Sequence, residues 1–179
     1  TPPPDPDAIN ILLDPGLAFG TGTHPTTAMC LRALDADPPS GKRVVDYGCG
    51  SGILGIAAAL LGAKAVLGVD NDPQAITASR DNAQRNEVPD AAFPVVLPQD
   101  DLVATWQASA DWVVANILAG PLVALAPVLT SLMTPGARLL LAGLLVDQAE
   151  AVIEAYAPGV KLSIADQQEE WVLLAGEKR

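Results

Sequence analysis

An α/β fold, built on a seven-stranded, mostly parallel sheet with one antiparallel strand, follows from three features of the chain. Val44-Val45-Asp46-Tyr47-Gly48-Cys49-Gly50-Ser51-Gly52 reads as a short buried strand broken by three alternate glycines, and Ile53 to Leu61 after it is rich in helix formers. Strand-like runs then alternate with helix-like ones to about Tyr156, as in a parallel sheet with helical crossovers. Finally, Val160 to Ala165 and Trp171 to Ala175 are joined only by the polar turn Asp166 to Glu170, a connection too short for anything but an antiparallel pair.

Composition bounds the rest. The 179 residues suffice for one full core, and with 50% hydrophobic and 17% charged residues the chain reads as globular. Apolar runs are broken before a membrane-spanning length, so no membrane association is expected. The start, Thr1-Pro2-Pro3-Pro4-Asp5-Pro6, lacks the basic and apolar regions of a signal peptide and reads as a linker remnant over residues 1–7. Two cysteines, Cys30 and Cys49, offer neither a disulfide framework nor metal-ligand spacing, which suits a reducing cytoplasm; no metal is expected. The net charge of −11, without a basic cluster, argues against direct nucleic-acid binding. It is compatible with a basic partner, or with solubility alone.

In chain order, Ala8 to Leu13 is strand-like. Asp14 to Thr27 forms a loop dense in Gly, Thr and Pro, and Pro25 opens a helix to about Leu34 with Thr23 or His24 near its cap. Gly20 and the hydroxyls of Thr21, Thr23 and Thr27 suit contact with a polar ligand, and Phe19 beside them is placed in the same site. His24 is the only histidine; it is read as a capping or packing residue rather than a base.

Charge decides what the central loop holds. Gly50 to Gly55 matches G-x-G-x-x-G, a weak signal taken alone. Asp46 ends the strand two residues before the first glycine, where it would repel a pyrophosphate but attract a ligand bearing a sulfonium and an ammonium. S-adenosylmethionine carries both and no phosphate. The alternative is that Asp46 merely accepts hydrogen bonds from loop amides. Gly48, Gly50 and Gly52 would let the ligand approach the backbone. The second strand, Ala65 to Val69, ends in Asp70, 20 residues past Gly50, a position suited to ribose hydroxyls; Asn71 follows it. Asn71, Asp72 and Pro73 can start the helix from Gln74 to Asn86 without Asp70. The third strand, Ala92 to Leu97, contains Pro94 and is expected at a sheet edge, and Asp100 in the polar turn after it is placed near the adenine. The fourth, Asp111 to Ala115, delivers Asn116 to the same crevice, where its amide can accept from an amine, beside Ile117 and Leu118; Pro121 opens a helix to about Met133. Arg138 to Ala142 and a helix from Asp147 to Tyr156 precede the final pair.

Asp14 to Thr27 (DPGLAFGTGTHPTT), Val45 to Gly52 (VDYGCGSG) and Val114 to Gly120 (VANILAG) resemble the methyltransferase family that modifies large-subunit ribosomal protein eleven in bacteria. The resemblance runs from about Asp5 to Lys178. The first motif is highly specific, while the glycine loop indicates only S-adenosylmethionine enzymes broadly. It implies a Rossmann-like class I S-adenosylmethionine-dependent methyltransferase fold over residues 8–179. It also implies methylation of lysine side-chain and N-terminal amines of a basic ribosomal protein, with S-adenosylhomocysteine as product. Thr27, Gly48, Asp70 and Asn116 would contact the cofactor. The family carries an N-terminal substrate-recognition domain that this sequence is expected to lack. A monomer is expected.

The chemistry can be reasoned without the family. No Asp/Glu–His pair suited to general-base work is legible, so positioning and desolvation of the amine are expected to dominate, with Asn116 and the carbonyls of Ile117 and Leu118 aiming it. Other readings are a nicotinamide-dependent oxidoreductase, which lacks a recognisable hydride-transfer site, and a non-catalytic module that keeps the cofactor pocket. A third is an amide or small-molecule N-methyltransferase. Enzymes acting on planar amides commonly carry Asn-Pro-Pro-Tyr where this chain has Asn116-Ile117-Leu118-Ala119.

Overall fold

Residues 24–179 are described by the structure, a computed structural model. The elements are α1 (Pro25–Ala36), β1 (Arg43–Tyr47), α2 (Ile53–Leu60), β2 (Ala65–Val69), α3 (Pro73–Arg85), β3 (Val95–Val96), α4 (Asp101–Ala104), β4 (Ala110–Asn116), α5 (Ala119–Ala124), α6 (Ala126–Leu132), β5 (Met133–Leu145), α7 (Ala149–Tyr156), β6 (Ser163–Gln168) and β7 (Trp171–Glu177). The strands form one sheet in the order β3-β2-β1-β4-β5-β7-β6. β1 to β5 pair in parallel, and β7 runs antiparallel to both β5 and β6, so it is the single reversed strand. β1 lies between β2 and β4, and at this switch in strand order the crevice opens beyond the carboxyl ends of the strands.

Alternation along the strands builds two cores. Val45, Leu67, Val113, Leu139 and Leu141 face one side, with Leu122, Leu129, Val152 and Tyr156. Val44, Val66, Trp112, Val114 and Leu140 face the other, with Met29, Leu34, Ile56 and Phe93. Because both faces are covered, the central strands read as apolar runs rather than as alternating ones. No helix among the described residues is long and apolar enough to cross a membrane.

Several boundaries differ from the sequence reading. β3 does lie at the edge, but it pairs only at Val95–Val96: the Pro94 carbonyl accepts from Gly68 N at 2.9 Å, and the ring nitrogen has nothing to donate in return. The single helix expected from Pro121 to Met133 is two, α5 and α6, parted at Leu125, because Pro127 cannot donate to the Val123 carbonyl. β5 spans 13 residues rather than five, since it pairs with β4 on one side and β7 on the other. Before α7 the chain makes a 3₁₀ turn, Val146–Gln148. β6 begins at Ser163 and continues to Gln168, so the final turn shrinks to Glu169 and Glu170, with Glu169 at φ 55°. Val160 makes only an isolated bridge to Lys178. The expected strand Ala8 to Leu13 lies outside the described residues.

Candidate active site

A cavity of about 740 Å³ opens at the carboxyl ends of β1, β2, β4 and β5, within the range of small-molecule sites. Its floor is the loop after β1. The amides of Gly48 and Cys49 both donate to the Val69 carbonyl, at 2.6 and 3.0 Å, tying the loop to the end of β2. Gly48 has φ 77°, and a Cβ there would overlap Cγ2 of Ile117, so only glycine lets the loop and the end of β4 meet.

Asp70 holds the loop from the β2 side. Its Oδ2 accepts from Gly50 N at 3.0 Å and its Oδ1 from Asp72 N at 2.9 Å. Asp72 is the N-cap of α3, accepting from Gln74 N at 2.9 Å, so helix capping and the Asp70 position are separate jobs. Asp70 and Asn71 both line the cavity. From below, Ser79 Oγ donates to the Gly50 carbonyl at 2.8 Å and Asn82 Nδ2 to the Ser51 carbonyl at 2.9 Å. Sequence reasoning missed this clamp, whose only signal was two polar side chains three apart on a helix face otherwise set by alanines.

Asp46 is 2% exposed, lines the cavity, and accepts from Gly55 N at 2.9 Å, in the first turn of α2. Asp46 is thus bonded to an amide and also lines the cavity. Burial pushes it up to about 7; the Gly55 hydrogen bond opposes the rise and the Asp70 charge adds to it. Cys49 is buried 3.4 Å from Ser79 Oγ, and burial raises its thiol, consistent with a filler rather than a nucleophile.

Asn116 ends β4 beside Thr27, a fully buried residue of α1. Asn116 Nδ2 donates to Thr27 Oγ1 at 3.1 Å, and Asn116 Oδ1 is buried with no hydrogen-bond partner among the described residues. A buried acceptor without a donor is uncommon and asks for a ligand. Ile117 lines the cavity, and Leu118, 69% exposed, stands at its mouth. His24 caps α1: its Nδ1 accepts from Thr26 N at 3.3 Å, and its ring meets Trp171 edge-on with centroids 5.1 Å apart.

Three expected site residues make contacts of their own. Asp100 caps α4, accepting from Leu102 N at 2.9 Å in an exposed position, and Pro98 rather than Asp100 lines the cavity. Gly52 does not line it either: it faces α3, where a Cβ would come within 3.0 Å of Ser79 Cα. The Leu118 carbonyl accepts from the Leu122 amide at 3.1 Å, the first backbone bond of α5. Phe19, Gly20, Thr21 and Thr23 lie outside the described residues. Tyr47, Leu125, Gly143 and Trp171 line the cavity and were not anticipated.

Strand order, the single reversed strand, the glycine loop after β1 and the acid after β2 together define a class I methyltransferase fold. The whole chain, residues 1–179, matches the family described as ribosomal protein L11 methyltransferase (PrmA). It is 57% identical over 176 residues to the ribosomal protein L11 methyltransferase of Pseudomonas paraeruginosa, covering 98% of this chain and 58% of that protein. It superposes on the crystal structure of ribosomal protein L11 methylase from Lactobacillus delbrueckii subsp. bulgaricus with TM-score 0.85 at 33% identity, over 99% of this chain and 89% of that one. An RNA methyltransferase from Salinibacter ruber, solved with S-adenosyl-L-homocysteine, shares the fold at 20% identity and TM-score 0.62, over 85% of this chain and 92% of that one. The chain thus belongs to the ribosomal protein L11 methyltransferase family, and it spans somewhat over half the length of the curated relatives it matches.

Proposed function

We propose that this chain carries the methyl-transfer site of an S-adenosylmethionine-dependent protein N-methyltransferase that modifies lysine side-chain and N-terminal amines of a basic ribosomal protein, L11. The observation that carries the reading is Asn116 Oδ1, a buried acceptor with no donor among the described residues, in the wall of a cavity floored by a glycine loop. Family membership supports it.

The residues present fit the cofactor. Gly48 and Gly50 bring bare backbone to the cavity, Asp70 has lone pairs left for ribose hydroxyls beyond the two amides it accepts, and Asn71 lies beside it. Asp46 answers a positive ligand. When bound, S-adenosylmethionine would supply an electrophilic methyl carbon to the amine and leave as S-adenosylhomocysteine.

The protein's task is to present a lone pair. A lysine with an ordinary pKa of about 10.4 must lose a proton at a cost of roughly 4–5 kcal/mol at neutral pH. An apolar mouth formed by Leu118, Pro121 and Leu125 disfavours the ammonium. His24 Nδ1 accepts from Thr26 N in capping α1, and the proton is released to water. Asn116 accepts an N–H and aims the nitrogen.

A cytoplasmic location and a monomer belong to the same reading. Both cysteines are free and buried, which suits a reducing compartment, and sedimentation would check the oligomeric state. The test of function is calorimetric titration with S-adenosylmethionine, then mass-spectrometric detection of 14-Da increments on a lysine-rich peptide and on L11. Absence of both binding and transfer would refute it, and a fluorescence response to reduced nicotinamide cofactor would favour the oxidoreductase.

A further inference from the structure

The parallel ladder between β4 and β5 runs in register as far as Asn116 and Ala142, and the Ile117 amide adds one bond to the Ala142 carbonyl at 3.0 Å. In a regular parallel ladder the Leu144 amide would next donate to the Ile117 carbonyl. That bond is not made, and among the described residues no backbone amide is placed on this carbonyl. The cause lies at Gly143. Its φ is 93°, and the register of β5 against β7 slips between Leu141 and Leu144, so β5 bulges there. The bulge is a close fit. A Cβ on residue 143 would overlap the Ile117 carbonyl oxygen and lie 2.8 Å from its carbonyl carbon. Gly143 and Ile117 both line the cavity.

Resting on the function proposed above, we infer that Gly143 is a positioning residue for methyl transfer: its bulge frees the Ile117 carbonyl as a second acceptor beside Asn116 Oδ1. A neutral primary amine has one bond to carbon, two N–H groups and a lone pair. One acceptor leaves the nitrogen free to turn about its carbon–nitrogen bond. Two acceptors on successive residues take both N–H groups and leave the lone pair in the one remaining direction. Asn116 supplies one acceptor because Thr27 occupies its Nδ2 and so turns Oδ1 away. Gly143 supplies the other by removing a ladder donor and leaving no Cβ over the carbonyl.

The test compares Gly143→Ala and Gly143→Asn with the unaltered chain. Both put a Cβ against Ile117, but Asn tolerates positive φ better than Ala, which separates strain from contact. With a short lysine peptide, kcat should fall about 10²-fold in both, with KM little changed, as for a misaimed reacting group. Calorimetric affinity for S-adenosylhomocysteine should stay as in the unaltered chain. Unchanged kcat, or cofactor affinity falling in step with kcat, would overturn the inference. If neither variant folds, the unaltered chain decides. Loaded with S-adenosylhomocysteine, it should bind an unmodified lysine peptide about tenfold more tightly than the monomethyllysine form, whose neutral amine has only one N–H. Equal affinities would refute a two-acceptor site. An unaltered chain that methylates no amine would instead refute the proposed function.

Discussion

The buried carboxyl of Asp46 should couple both stability and cofactor binding to pH. Its value rises from 3.8 to about 7 because it is buried under the glycine loop and feels Asp70. In the folded protein it keeps a proton that the unfolded chain gives up at 3.8, so between pH 3.8 and 7 the native state binds the extra proton. Stability then falls as pH rises through that window and levels off above about 7. At about 1.36 kcal/mol per pH unit, the total loss is about 4 kcal/mol. Asp46→Asn keeps an oxygen for Gly55 N and removes the titration. Denaturant unfolding of both proteins from pH 4 to 8 should therefore show the variant gaining on the parent as pH rises, with the gap closing to a constant above about 7. Parallel stability curves would refute the buried-acid reasoning.

The same proton should report on the ligand. A cationic cofactor near Asp46 favours the ionised form, so binding near pH 6 should release a proton in the parent and none in Asp46→Asn. Calorimetry in two buffers of different ionisation enthalpy reads that proton directly. An enthalpy independent of buffer in the parent would mean that the ligand's charge lies elsewhere.

Asp70→Ala should weaken S-adenosylmethionine binding by roughly 1.5–3 kcal/mol, as expected for lost hydrogen bonds to a charged group, and it also frees the Gly50 amide. Equal affinity by calorimetry would remove Asp70 from the ribose site. Cys30, its thiol pushed up to about 12 by burial, and Cys49, raised likewise, should resist a thiol-specific reagent at pH 8 until the protein is unfolded. Rapid labelling of the native protein would contradict their burial. Asn116→Ala should lower kcat about 10²-fold while leaving the unfolding midpoint unchanged or raised, since it removes an orphan acceptor along with one hydrogen bond.

Local chemistry was legible in the sequence and long-range chemistry was not. β1 and its loop could be read because Val44 and Val45 favour a strand and each glycine of the loop takes positive φ, at 77°, 54° and 84°. The helix starts at Pro25 and Pro73 were equally local. The length of β5 was not, since it depends on pairing with β7 more than 25 residues later in the chain. Asp100 and Asp70 look alike in sequence, each a carboxylate following a strand. Only the fold shows that one caps α4 in solvent while the other ties Gly50 to the cavity wall. Ser79 and Asn82 read as two polar residues on a helix until the glycine loop is laid against them.

Among the described residues, the unmet groups gather at the cavity wall. Asn116 Oδ1 is buried without a donor, the Ile117 carbonyl is left off the ladder, and the Asp46 carboxyl is pushed up to about 7 by burial. An unpartnered buried acceptor costs about 1–3 kcal/mol, a sizeable part of the net stability of a domain. The rest of the structure sustains this because two apolar cores cover both faces of the sheet and the loop is bonded from β2 and α3 alike. Each unmet group also has a matching complement: an N–H donor for either carbonyl, a positive charge for the carboxyl. A neutral amine beside a sulfonium offers both at once. On the proposed function, the site is least satisfied when empty and best satisfied when the nucleophile and the cation are in place together, so that binding energy is directed toward the reacting geometry rather than toward either ligand alone.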